Sequence, residues 1–395
     1  MREAQGTVNI LYLSPNFPPN YTAFPLRLRD EGAVVAGIGW EAPERLPPEL
    51  RGALAEYCRV ENMGDYDHVL RAAAWLLSRI GRFDRVVAQE EHFVDLEAAL
   101  RLDFNVPGLK PADIVGLRHK SRMKEGFARA QVPTAAWELA TDAAAGQRFA
   151  RRVGYPIIAK PDKGVGAHAT YKLSDDAELT DFFAVKDPRI PFLLEEFLAG
   201  VIQSFDGLTD RDGGIVFCTG HQFSIDIMTA VNQDQNLHYW SFRDLPADLE
   251  AQGRRSIAAF GLKERFFHLE FIRGPRGKLT AMEINARPPG GLTTDMFNYA
   301  NDIDVYRGYA ELVVHGGFRA EWKRPYHVSY VGRKNGKPYR HSHEDILRAH
   351  GDLIVSHTPI DSVFRKAIGD YAYLARARSL AELQPVADFI HQLEA

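Results

Sequence analysis

The 395-residue sequence predicts an α/β unit followed by α+β structure. Two observations carry this reading. The first third alternates apolar strand-like runs with helically spaced ones, the order that builds a parallel sheet with helices on its faces. From about residue 155 onward, strand-like runs instead follow one another across glycine turns, as antiparallel pairs do. The chain is also too long for one ordinary hydrophobic core, so two or three domains are expected.

Val8–Leu13 (VNILYL) reads as a buried strand running into a Pro/Asn-rich loop at Ser14–Asn20. Val34–Ile38, bracketed by Gly32 and Gly39, reads as a second strand. His68–Ile80 carries apolar residues at helical spacing, and Arg85–Ala88 is a short strand ending in the acidic run Gln89, Glu90, Glu91. The two prolines and the glycine of Asn105–Pro111 mark a boundary. Beyond it, Lys120–Gln131 reads as a helix that stops ahead of Pro133, and Tyr155–Leu173 as strand, glycine loop, strand. Asp176–Phe183 is a short helix. Phe192–Phe197, Ile215–Cys218, His268–Ile272 and Lys278–Ile284 read as strands, the last two joined by a turn at Gly274–Gly277. Tyr371–Ala377 adds a strand and Ser379–Leu393 a closing helix.

The bulk composition excludes several function classes. A net charge of −4 gives no electrostatic reason to expect nucleic acid or an anionic membrane as partner. The two cysteines, Cys58 and Cys218, stand far apart, so a zinc or disulfide scaffold is not expected and a reduced, cytoplasmic setting is. Met1–Val8 lacks the apolar core and cleavage site of a secretion signal, and no apolar run nears the length of a membrane span.

The chemistry-bearing residues form a sequence. Lys160 ends an apolar strand, and Lys163, Gly164 and Gly166 follow in the loop. Glycines let backbone amides approach an anion, and a strand-end lysine adds a fixed positive charge. A plain hairpin turn explains the glycines equally well. No Gly-Lys-Ser/Thr phosphate loop occurs anywhere. Glu270 lies within FFHLEFI, and after a glycine turn Glu283 and Asn285 lie within LTAMEIN. In a hairpin these two carboxylates and one amide oxygen can share a face, which makes a hard-oxygen site suited to Mg²⁺ carrying phosphates. Solvent-facing glutamates are the plainer reading, but acidic residues facing one another within apolar strands destabilise a sheet unless a cation joins them. Arg287 follows, ahead of Pro288–Pro289–Gly290–Gly291, placed to neutralise a phosphoryl group or grip a carboxylate.

Taken in order, these features resemble the ATP-grasp superfamily. Lys120 in RHKSRMK resembles its first lysine, Lys160 in IIAKP its second, and residues 163–169 its lid loop. LLEEFL is similar to its adenine hinge, with Glu195 and the backbone around Glu196, Phe197 and Leu198 as the matching contacts. Glu270, Glu283 and Asn285 match the metal-binding positions, and Arg287 the arginine at the reaction centre. The resemblance covers roughly residues 116–318. It implies a Rossmann-like pre-ATP-grasp domain over 1–115, an ATP-grasp core over 116–318 with a mobile lid subdomain near 120–193, and an α+β segment over 319–395 that completes the fold. One position departs from the pattern. Gly200–Asp206 carries Ile202 where the family has a ribose-binding glutamate, leaving Gln203 or Asp206 as substitutes.

The resemblance implies an ADP-forming carbon–nitrogen ligase using ATP and Mg²⁺ (or Mn²⁺), with Arg287 and Lys160 as catalytic residues. Small-molecule carboxylate and amine substrates would be joined through an acyl phosphate. A symmetric dimer is the default assembly. Rival readings are an ATP-grasp carboxylase, a carboxylate–thiol ligase and a catalytically silent nucleotide-binding module. Other residues stay open. Glu90–Glu91–His92 reads either as a site for a substrate amine or as a solvated loop, the latter slightly favoured, His268 as either a support for Glu270 or a structural histidine, and His168 as a phosphate contact or, more plainly, lid-loop surface. His221 is assigned nothing.

Overall fold

The computed structural model describes residues 7–164, 169–225 and 227–394, so Gly166 and His168 lie outside the described residues. Among the described residues, sixteen strands form three sheets. The first holds β1 (Asn9–Leu13), β2 (Val34–Gly39), β3 (Glu56–Arg59) and β4 (Arg85–Val87), parallel throughout in the order β3-β2-β1-β4. The unbroken apolar run of β1 follows from burial on both faces. Ile10 and Tyr12 pack with Phe24 against the helix Val305–His315, while Leu11 and Leu13 pack on the opposite side with the helix Tyr66–Ile80.

The second sheet is antiparallel: β5 (Trp137–Leu139), β6 (Ile157–Pro161), β7 (Tyr171–Leu173) and β8 (Phe192–Glu196), ordered β5-β8-β6-β7. It has its own small core around Phe149, Ile157, Phe182 and Leu194. The third sheet is also antiparallel and has eight strands. These are β9 (Val201–Thr209), β10 (Ile215–Phe223), β11 (His238–Ser241), β12 (Phe266–Arg273), β13 (Leu279–Asn285), β14 (His327–Arg333), β15 (Ile354–Pro359) and β16 (Tyr371–Ala377). Their order is β13-β12-β9-β10-β11-β14-β16-β15. Among the described residues no helix is long and apolar enough to cross a membrane.

Several elements differ from the sequence reading. The helix from Lys120 ends at Arg129, because Gln131 turns left-handed (φ 54°) ahead of Pro133. β10 runs five residues past Cys218, to Phe223. β9 carries no alternating strand signal in the sequence, because all but its first residue is buried. The helix Ala247–Phe260, with five charged or amide side chains in its first nine residues, also went unread.

One buried cluster joins the parallel sheet to the large antiparallel one. Glu97 is 1% exposed and accepts from Arg265 (2.6 and 2.9 Å), from the backbone N–H of Ala88 (3.0 Å) and, as an ion pair, from Arg101 (2.8 Å). Burial alone would raise its pKa, but the two arginines outweigh burial and hold it below the ordinary carboxylate value. Arg265 also donates to the carbonyl of Ala286, just before Arg287. Replacing Glu97 by Ala strands two buried arginines and should cost about 3–5 kcal/mol. Urea titration measures this, and a loss below ~1 kcal/mol would show that the clamp contributes little.

Candidate functional site

The two faces of the large sheet divide by chemistry. Phe205, Phe267, Leu269 and Ile284 point to one side and pack with the helices Lys120–Arg129 and Ala247–Phe260. The alternate positions carry Ser204 and Asp206 on β9, His268 and Glu270 on β12, and Glu283 and Asn285 on β13. Glu270 stands directly across from Glu283, and His268 from Asn285. A bulge follows Glu270 on the same pair of strands, a common device for re-aiming a side chain. Asn285 donates to Glu283 at 3.4 Å.

A buried hydrogen-bonded chain backs Glu270. His268 donates through Nδ1 to Asp206 (2.5 Å) and through Nε2 to Glu270 (3.1 Å). Burial would lower the pKa of His268, but Asp206 and Glu270 raise it to about 10, so it is an imidazolium that donates from both nitrogens at neutral pH. Asp206 is fully buried and also accepts from Ser204 Oγ (2.6 Å) and His221 Nδ1 (2.8 Å). His221 Nε2 is buried without a partner.

Over this face stand two lysines sharing one carboxylate. Glu195 on β8 pairs with Lys160 of β6 and with Lys124 (2.5 Å). Burial would raise its pKa, yet the lysines bring it down to about 2. Lys160 is held above the ordinary lysine value: burial opposes this, but Glu195, then Glu283 and Glu270, outweigh it, which records how near the lysine lies to both glutamates. Lys124 also donates to the carbonyl of Met282 (3.1 Å), beside Glu283. Lys120 donates to the carbonyl of Gly164 (3.1 Å). Asp162 accepts from the Ser121 N–H (2.8 Å) at the start of the same helix, tying its N-terminus to the loop after β6. Past β8, Phe197 lies under the Lys172 ammonium at 4.2 Å, and the Glu196 N–H is bonded to Ala136.

Three placements depart from the sequence reading. Glu91 is not solvated: it is 7% exposed, accepts from Arg287 Nε (2.8 Å) and pairs with Arg118, because the parallel sheet is pressed against the Arg287 loop. Lys163, expected at the phosphates, pairs with Asp95 (3.2 Å). The Glu195 side chain is paired with both lysines, and the Glu196 backbone is already bonded within the sheet. The loop after Arg287 is held from the first sheet's side: Tyr21 donates to the carbonyl of Pro289 (2.7 Å) and Asn20 to that of Gly291 (3.0 Å).

Two carboxylates and one amide fall short of a complete metal cage, and the described residues contain no group of three His, Cys, Asp or Glu side chains placed to hold an ion. The donors do fit a hard cation that brings further oxygens with it on phosphates and water.

No family model matches the chain. The arginine-specific large chain of carbamoyl phosphate synthase from Halalkalibacterium halodurans is 27% identical over 240 residues, which is 56% of this chain and 22% of that protein. An L-arginine-specific L-amino acid ligase from Bacillus subtilis is 22% identical over 255 residues, 62% of each. The chain thus spans between about a fifth and about three-fifths of the length of these curated relatives. The crystal structure of L-amino acid ligase from Bacillus licheniformis superposes with a TM-score of 0.76 over 97% of both chains, at 14% identity. The chain has an ATP-grasp fold. The residues of this site that the sequence did not single out are Lys124, Asp206 as a partner of histidine, and His221. Of these only Lys124 carried a signal, sitting four residues after Lys120 on one helix.

Asp206 gives a pH test of the buried chain. Burial favours its neutral form, but His268 and His221 lower its pKa from 3.8 to about 2. A depressed carboxyl stabilises the fold above about pH 4 and loses that contribution as the pH falls toward 2, here on the order of 2 kcal/mol. Urea midpoints between pH 5 and 2 should therefore fall more steeply for the wild type than for Asp206→Asn. Parallel slopes would refute the pairing.

Proposed function

We propose that this ATP-grasp protein is an ATP-dependent carboxylate–amine ligase that forms an amide and releases ADP and phosphate. The observation that carries the reading is Glu270 in register with Glu283 beneath Lys160, the lysine anchored by Glu195. The full-length structural likeness to an L-amino acid ligase supports an amino acid as the carboxylate. ATP phosphates would lie between Lys160 and Lys120 on one side and Glu270, Glu283 and Asn285 on the other, with the adenine against the backbone at Glu196–Leu198. A bound Mg²⁺ supplies charge neutralisation and alignment of the phosphates.

The substrate carboxylate oxygen attacks the γ-phosphorus while the bond to ADP breaks, and ADP leaves with the electron pair. The amine nitrogen then attacks the acyl carbon, phosphate departs and the nitrogen loses a proton. Arg287 faces charge that develops on the carboxylate and on the tetrahedral carbon's oxygen. Its Nε is fixed by Glu91 and its Nη1 by the carbonyl of Pro288, so its orientation is set before substrate arrives. The sequence similarity to carbamoyl phosphate synthase supports a second reading, a site that phosphorylates bicarbonate.

ADP and phosphate release with Mg²⁺ should depend on amino acids and be accompanied by a condensation product of matching mass. Turnover with bicarbonate alone would move the assignment to a carboxylase, and AMP in place of ADP would overturn the acyl-phosphate route. Glu283→Gln should lower kcat by at least about 100-fold with unchanged circular dichroism and urea midpoint. Normal turnover in that variant would remove Glu283 from the metal set.

A further inference from the structure

Among the described residues three buried polar atoms from one short stretch of chain have no protein partner: Tyr12 Oη, Ser14 Oγ and Asn16 Oδ1. They lie at the end of β1 and in the loop after it, where Ser14, 2% exposed, holds a left-handed φ of 55°. Buried hydroxyls and amides left unpaired are costly, and each calls for a physical reason. The carboxyl ends of parallel strands, where this loop sits, are where open α/β sheets receive ligands.

A line of half-buried rings borders the same loop. Phe364 stacks on Phe17 (6.2 Å between centroids, 6° between planes), Phe17 tilts against Trp40 (5.9 Å), and Trp40 against Phe93 (6.2 Å). The four rings come from four separate segments of the chain. The line is continuous with the candidate site. A methyl group placed on Gly290, three residues after Arg287, would sit 3.7 Å from the ring of Phe364, and Phe93 is two residues from Glu91, which binds Arg287.

Glu90 supplies charge at this place. Its side chain is 15% exposed, and among the described residues its carboxylate meets only the exposed His92, at 3.4 Å. Its neighbour Glu91 is committed to two arginines, so Glu90 is the carboxylate left for a ligand. Arg287 uses Nε and Nη1 on protein acceptors, while Nη2 makes no hydrogen bond to the described residues.

We propose that this face binds the carboxylate substrate as a free amino acid with an apolar side chain, aromatic rings included. The inference rests on the ligase reading and adds the substrate class to it. Arg287 Nη2 takes the α-carboxylate at the phosphoryl-accepting end, Glu90 takes the α-ammonium, and Phe17, Trp40, Phe93 and Phe364 cover the side chain. Among the described residues Glu90 has no arginine or lysine partner, and the ammonium uses it. A second cation on the side chain finds no partner, and an acidic side chain is repelled by Glu90.

The test follows ADP release with saturating Mg·ATP against leucine, methionine, phenylalanine, aspartate, lysine, arginine and bicarbonate. Wild-type kcat/KM should be at least tenfold higher for the apolar set than for the charged set. Trp40→Ala should raise KM for the apolar amino acids at least tenfold without moving KM for ATP, and Trp40→Phe should restore most of the loss. Glu90→Gln should abolish the preference for phenylalanine over 3-phenylpropionate, which lacks the ammonium. Preference for arginine, lysine or aspartate, or an unchanged amino-acid KM in Trp40→Ala, overturns the substrate class and leaves the ligase reading standing. Turnover with bicarbonate and no amino acid overturns both.

Discussion

The arrangement depends on one buried ion cluster, Glu97 with Arg265 and Arg101. Its members come from the helix that follows β4 and from the turn that enters β12, so it fixes the parallel sheet against the large antiparallel one. The same carboxylate holds the Ala88 N–H, just before the Gln89–Glu91 segment, and through Arg265 the carbonyl of Ala286, just before Arg287. One side chain therefore sets the spacing between the two ends that carry Glu91 and Arg287. Desolvating three charges is expensive, and the cluster is tolerable because each charge is met by hydrogen bonds as well as by its opposite. It acts beside the shared core of Ile10, Tyr12 and Phe24 with Leu208, Phe217 and Phe266, and beside the Arg85–Glu264 ion pair, which hold the same two sheets together.

With that position fixed, the period of two along β9, β12 and β13 separates labour. One face buries phenylalanines and leucines against helices, and the other presents serine, aspartate, histidine, glutamate and asparagine in adjacent rows. Like charges directly across a strand pair repel, and Glu270 and Glu283 are no exception. His268 offsets part of that repulsion by donating to Glu270, and Lys160 approaches from the β5–β8 sheet. The site is thus a carboxylate surface roofed by lysines, with its polarity partly balanced before any ligand enters.

How much of this could be read from sequence follows the range of each interaction. The glutamate-bearing hairpin was legible because a glycine turn and alternating polarity are local, and the parallel sheet because β1 and β2 are short apolar runs between turn residues. Arg287 was legible from its place after that hairpin. Glu91 was misread because an acidic run after a strand looks solvated until the distant Arg118 and Arg287 are brought to it. Asp206 and His221 are fifteen residues apart and join only through the β9–β10 register, which nothing in either strand announces. β9 itself was hidden by burial on both faces.

The sharing of Glu195 between Lys124 and Lys160 bears on which anions this cleft favours. Two ammonium groups and one carboxylate amount to a single positive charge, spread over a rigid strand and a helix. A lone inorganic phosphate or sulfate competes there against a resident anion that never diffuses away. A nucleotide triphosphate brings several charges and a base together, and so gains from contacts that a small ion cannot reach. The internal carboxylate acts as a threshold, making occupancy steeply dependent on valence and size.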